Sequence, residues 1–173
     1  MPLPARDPVI ADSAPVYRLT VASPVGPLTL FEQSGAITAL LWAASERLRN
    51  ARPTPLLAAA RRELESYFAG TLDRFHIPLA PRGSDFQRRV WDALSAIPRG
   101  QTVTYGDLAR RLGSAPRAIG GACGANPLPI LIPCHRVLAA GGRLNGYSGR
   151  RGLATKKRLL DLEGALDGTA LSG

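Results

Sequence analysis

The alternation of apolar and polar positions divides the chain into an extended first part and a helical second part. Tyr17 to Thr20 and Leu28 to Phe31 read as strands joined by the turn Ser23-Pro24-Val25-Gly26-Pro27, and Ile37 to Trp42 as a third, together an antiparallel meander. Thr54 before Pro55 is an N-cap with proline at the first helical position. Leu57, Arg61, Leu64 and Phe68 then step at helical spacing, widened by Leu56, Ala60 and Tyr67, up to Gly70. After Ala80-Pro81-Arg82-Gly83 the pattern is mostly helical. Ser84 to Gln87 has the form of a capping box, and Phe86, Val90, Trp91, Leu94 and Ile97 give one inner face that stops at Pro98.

Two short helices follow. Thr104 and Asp107 form a capping box that opens the first, with Leu108 and Leu112 inward and Gly113 just past its end; Pro116 starts the second, with Arg117 in its first turn. A short turn containing Gly between two short helices is the outline of a helix-turn-helix. The second helix is nearly bare of side chains, since Ala118, Gly120, Gly121, Ala122, Gly124 and Ala125 occupy most of it. Each Gly inside a helix costs about 1 kcal/mol relative to Ala. So thin a helix serves either close packing on another helix or entry into a nucleic-acid groove.

Leu128 to Ile132 is an apolar run with Pro127, Pro129 and Pro133 around it, which reads as a buried extended segment, and Cys134 is expected at the bend that leaves the core. A thiol attacks as its thiolate, so the neighbours His135 and Arg136 are the candidate activators. A structural, buried Cys fits the residue types equally well. In the last helix, from about Gly152 to Glu163, Leu153, Leu159 and Leu160 share one arc and Glu163 falls within it. A carboxylate there needs a donor, and His135, Arg136 and Tyr147 are the available ones.

Composition narrows the class. No apolar run approaches the ~18 residues of a membrane span, and the first residues lack a signal-peptide pattern, so a cytoplasmic protein is expected. Cys123 and Cys134 with two histidines give neither a disulfide framework nor a metal-ligand set; no cofactor or metal is expected. The formal charge of +9 is lopsided: residues 1–80 carry 8 Arg against 7 acidic residues, and residues 81–173 carry 14 Lys and Arg against 6. A basic second half fits a polyanionic partner, and fits a merely soluble basic surface as well.

Taken together, Arg117-Ala118-Ile119-Gly120-Gly121-Ala122, Asn126-Pro127, Ile130-Leu131-Ile132-Pro133-Cys134-His135-Arg136-Val137, Gly146-Tyr147-Ser148-Gly149 and Glu163-Gly164 resemble the O6-alkylguanine-DNA alkyltransferase family in order and spacing. The resemblance implies an α/β (α+β) fold: a loose tail over 1–14, a ribonuclease-H-like domain over 15–80, and a mostly helical, winged-helix-like domain with the helix-turn-helix over 81–173. It implies direct-reversal repair, in which an alkyl group passes irreversibly from guanine O6, or thymine O4, in double-stranded DNA to the protein's own cysteine; a lesion-binding or DNA-binding module without transfer is the alternative. Cys134 would be the acceptor, His135 its base, Glu163 the carboxylate that orients His135, and Asn126 the hinge. Tyr105, Val137, Tyr147 and Ser148 would line the guanine pocket. Arg117 would fill the gap left by the extruded nucleotide, with Ala118, Gly120, Gly121 and Gln87 also facing DNA. A monomer is expected. The stretch from Tyr105 to Arg117 is shorter than the family usually has.

Overall fold

The computed structural model describes residues 14–43, 52–147 and 152–166. The expected tail, except Ala14, and the pocket residue Ser148 lie outside them. The chain divides into two compact units between Asp85 and Phe86.

The first unit is built on the meander β1 (Val16–Val21), β2 (Leu28–Gln33) and β3 (Ala36–Leu41), antiparallel in the order β1-β2-β3, with a bulge at Phe31/Glu32. The hairpin at Ser34-Gly35 needs positive φ at both positions, which Gly35 adopts without cost. Helix α1 (Pro55–Phe68) starts as its sequence dictates: Leu57 N–H donates to the Thr54 hydroxyl at 3.1 Å. Its buried stripe is Leu57, Ala60, Leu64 and Tyr67, centred slightly off the Arg61–Phe68 line that the sequence suggested.

The second unit holds α2 (Asp85–Ser95), β4 (Val103–Thr104), α3 (Tyr105–Leu112), α4 (Pro116–Gly124), β5 (Val137–Leu138) and α5 (Leu153–Leu162). The α3 capping box is present in both directions, and Gly113 ends the helix in the left-handed conformation at φ 61°. The three residues 113–115 then turn the chain into α4, which packs on α3. This is the expected helix-turn-helix. Trp91 donates its indole N–H to the Ala122 carbonyl at 2.9 Å, tying α4 to α2. The strands β4 and β5 pair in parallel, Val103 with Val137 and Thr104 with Leu138, which sets the N-terminus of α3 beside the segment carrying Cys134.

Two expectations are corrected. Leu128 to Ile132 is buried but is not a strand: Ile132 N–H donates to Leu128 O at 2.8 Å, Pro129 and Ile132 bridge, and Ile130 sits at φ 73°. The run is a tight turn folded into the core. Positive φ on a β-branched residue costs about 1–3 kcal/mol, and the turn holds it because Asn126 clasps both ends: Leu128 N–H donates to Asn126 Oδ1 at 3.0 Å and Asn126 Nδ2 donates to Ile132 O at 2.9 Å. Leu153 is 47% exposed, not inward. The buried residues of α5 are Thr155, Lys156, Leu159 and Leu160, so Lys156 rather than Leu153 joins the two leucines on the inner face.

Candidate active site

The site grows from the turn that follows Pro133. Cys134–Arg136 is one 3-10 turn, closed by Arg136 N–H to Pro133 O at 3.0 Å and by Val137 N–H to Cys134 O. Successive side chains in such a turn diverge by about 120°, not by the 180° of a strand. Cys134, His135 and Arg136 therefore point three ways, and all three are buried.

His135 is fully buried, and its Nε2 lies 2.7 Å from Glu163 Oε1. Glu163, at the C-terminal end of α5, is also gripped by Arg136, whose Nε donates to Oε2 and whose Nη2 donates to Oε1, each at 2.9 Å. Arg136 is anchored in turn by Nη1 to Ile97 O at 2.6 Å. The donor that a carboxylate on the inner face of α5 requires is thus supplied by both His135 and Arg136. Burial alone would raise the Glu163 carboxyl, but the hydrogen bonds from His135 and Arg136 and their charges hold it far below the usual range. Burial pushes His135 the other way, below the ordinary imidazole value, with Glu163 opposing and Arg136 assisting the shift.

These shifts assign the protons. An ionised Glu163 can only accept, so His135 Nε2 carries the proton, and Nδ1 is an acceptor with no hydrogen-bond partner among the described residues. Burial raises the Cys134 thiol, while the Asn126 amide and the Lys156 charge pull it down. At rest the site holds a neutral thiol beside a neutral imidazole whose base nitrogen is open.

A cavity of about 700 Å³ receives Cys134 on its wall together with Tyr105, Arg117, Gly120, Cys123, Asn145 and Tyr147. The Tyr105 phenol, raised by burial to about 12, stays protonated. Arg117 is exposed at the start of α4, and the αL turn at Gly113 still brings it to the cavity across the short connection. Ala118 and Gly121 are exposed on the same helix. A Cβ added at Gly121 or Gly124 would meet nothing within 4 Å. Their small size is therefore not required by packing inside the protein.

Other expected residues fall elsewhere. Asn126 acts through the turn that presents Cys134. Gln87 stands in the first turn of α2, away from the cavity wall. Val137 is fully buried behind the wall, and its carbonyl accepts from Lys156 Nζ at 2.5 Å. Lys156 itself went unnoticed in the sequence. The signal was its placement three and four residues before Leu159 and Leu160, on the face they bury.

Residues 16–81 match the ribonuclease-like domain and residues 85–165 the DNA-binding domain of 6-O-methylguanine DNA methyltransferase. The chain belongs to the 6-O-methylguanine DNA methyltransferase family. Among its relatives, the methylated-DNA–protein-cysteine methyltransferase of Mycobacterium bovis is 44% identical over 154 residues, covering 86% of this chain and 92% of that protein. The constitutive enzyme of the same name from Bacillus subtilis is 38% identical over 157 residues, covering 85% and 94%. Among solved structures, the Mycobacterium tuberculosis O6-methylguanine methyltransferase superposes with a TM-score of 0.74 at 41% identity, covering 91% of this chain and 96% of that one. The Mycobacterium tuberculosis OGT in complex with DNA gives the same TM-score at 44% identity, covering 84% and 91%. Every residue named on the cavity wall lies inside the segment matching the DNA-binding domain of this methyltransferase family.

Proposed function

We propose that Cys134 accepts the alkyl group in this chain's repair reaction. The protein is a methylated-DNA–protein-cysteine methyltransferase, which binds DNA and repairs it by moving a methyl group onto a protein cysteine. The observation that carries the residue assignment is the hydrogen-bonded Glu163–His135 pair directly following a buried cysteine that opens on a cavity.

The substrate we infer is double-stranded DNA carrying O6-alkylguanine. Cys134 is only 3% exposed, so a base inside a duplex stays out of its reach and the nucleotide must be extruded, at a few kcal/mol. The exposed, side-chain-poor face of α4 suits close approach to a groove, and Arg117 stands where it can occupy the space the base leaves. Readout in a minor groove is degenerate, which suits repair at any sequence.

In the transfer step His135 Nδ1 takes the Cys134 proton, directly or through a water. The sulfur attacks the alkyl carbon in line; the S–C bond forms as the C–O6 bond breaks, and the electron pair of that bond leaves with guanine. Tyr105, protonated and on the cavity wall, donates toward the departing ring so that the base leaves neutral. Glu163 holds the imidazolium that forms. The thioether is not hydrolysed, so each molecule acts once. We place the chemistry and DNA contacts in residues 81–173, assign residues 15–80 a supporting domain, and take the protein as a cytoplasmic monomer; no described helix is long and apolar enough to cross a membrane.

A DNA-binding module without transfer would have no use for the pair behind Cys134. Incubation with a duplex containing one O6-methylguanine, followed by intact-mass and peptide analysis, tests the assignment. One methyl on Cys134 is expected. Bound lesion-containing DNA with unmodified Cys134 would overturn it.

A further inference from the structure

Lys156 is a fully buried charged group that the transfer step does not use. It lies on α5, and among the described residues it makes no ion pair. Its three N–H groups are instead divided among backbone carbonyls: Val137 O at 2.5 Å, Asn145 O at 2.8 Å and Gly146 O at 3.3 Å. Its Nζ also stands 5.7 Å from the centroid of the Tyr105 ring. Asn145, Gly146 and Tyr105 lie on the cavity wall, whereas Lys156 does not.

We propose that Lys156 is a positioning residue that fastens the Asn145–Gly146 loop to the strand carrying Val137 and so fixes the shape of the cavity that receives the alkylated base. The chemistry of its partners supports this role over simple filling of space. A leucine or methionine would occupy the inward face of α5 without the desolvation that a lone ammonium suffers, and burial indeed lowers Lys156 to about 8. What an apolar side chain lacks is three diverging donors, which join carbonyls from a strand and from a loop at one point. Among the described residues, no other hydrogen bond ties Asn145 or Gly146 to β5. Without the lysine the loop would sample positions in which the cavity and Cys134 no longer match one base. A misplacement of about 1 Å at such a wall costs roughly a hundredfold in rate.

The inference rests on the cavity being the base-binding site, and two measurements keep it separate from that reading. Amide hydrogen exchange compares the full-length protein with Lys156→Met, without DNA. Exchange of residues 138–147 is expected to quicken roughly tenfold, with α2 and α4 unchanged. Single-turnover transfer from an O6-methylguanine duplex then separates affinity from the rate at saturation. The affinity for undamaged duplex is expected to stay within about twofold, because α4 and the basic surface are untouched, while the saturated rate falls roughly tenfold to a hundredfold. Unchanged loop exchange, or a saturated rate within about twofold of the parent, overturns the proposal. If Lys156→Met does not fold, Lys156→Gln, which keeps two donors, is measured in the same way with the same two outcomes decisive. A parent protein that takes no methyl on Cys134 defeats the functional reading, yet the exchange result still decides the role of Lys156.

Discussion

Replacing Glu163 by glutamine removes one charge and almost no volume from the centre of the site. The carboxylate accepts from His135 Nε2 at 2.7 Å and from Arg136 twice at 2.9 Å, and its side chain is fully buried. In Glu163→Gln one of those oxygens becomes an amide NH₂ that faces donors, and the buried guanidinium loses its counter-charge. Breaking a buried pair in this way costs about 3–5 kcal/mol, of which the remaining amide oxygen recovers part; about 3 kcal/mol is the expected loss. At about 3 °C per kcal/mol for a chain of this size, the melting point falls by roughly 10 °C. The effect on transfer is separate. The imidazolium formed when His135 takes the thiol proton loses a charged acceptor worth about 1.5–3 kcal/mol, which slows the step roughly tenfold to a hundredfold. Quenched single-turnover transfer at saturating duplex, run well below the melting point of both proteins, reads the second effect without the first.

The pH dependence has a definite sign. Glu163 is held below its unfolded value near ~4.3, so its stabilising contribution is complete above that pH and is lost progressively as the pH falls from there through the lower folded value. The difference in melting temperature between the parent and Glu163→Gln should therefore be full at neutrality and shrink on acidification below about 4. A variant that transfers within about twofold of the parent rate, with an unchanged gap in melting point from pH 7 down to 3, would refute this account of the carboxylate.

Two further substitutions probe the approach to the thiol. Asn126→Ala leaves the Leu128 N–H and the Ile132 carbonyl unpaired inside the turn, at about 1–3 kcal/mol each. Urea denaturation should show a loss of roughly 2–5 kcal/mol, and the pH profile of thiol modification at Cys134 should move upward, since the Asn126 amide draws that thiol down. Arg117→Ala should slow transfer from duplex much more than alkyl transfer from the free O6-alkylated base and lower the salt dependence of duplex binding by about one unit of slope. Equal slowing on both substrates would contradict its place at the vacated stack.

The fold was legible wherever a local rule decides it. Thr54-Pro55, the Thr104–Asp107 box and Gly113 each determine a helix end by local chemistry, and the two helices they bound lie where those residues put them. The turn at Leu128–Ile132 was not legible. Apolar character fixed its burial, but burial is shared by a strand and a tight turn, and the choice between them was made by a distant agent, the side chain of Asn126. The cost of burying a carboxylate called for a donor to Glu163 and narrowed it to His135, Arg136 or Tyr147, and the structure supplies the first two. Lys156 escaped the same rule because its partners are carbonyls, which every residue carries and no sequence pattern marks. For the bare helix α4 the residue types alone do not separate packing from approach; the open space beside Gly121 and Gly124 shows that packing does not demand those two glycines.

The central claim is that one buried thiol, Cys134, accepts the alkyl group and does so once. Titration of the protein with a duplex bearing a single isotopically labelled O6-methylguanine measures this directly, with the label followed into peptides. The account predicts label transfer that ends at one equivalent per protein, all of it on the peptide containing Cys134 and none on that containing Cys123. Transfer beyond one equivalent, label on Cys123 or another residue, or intact lesion in stably bound DNA would contradict it.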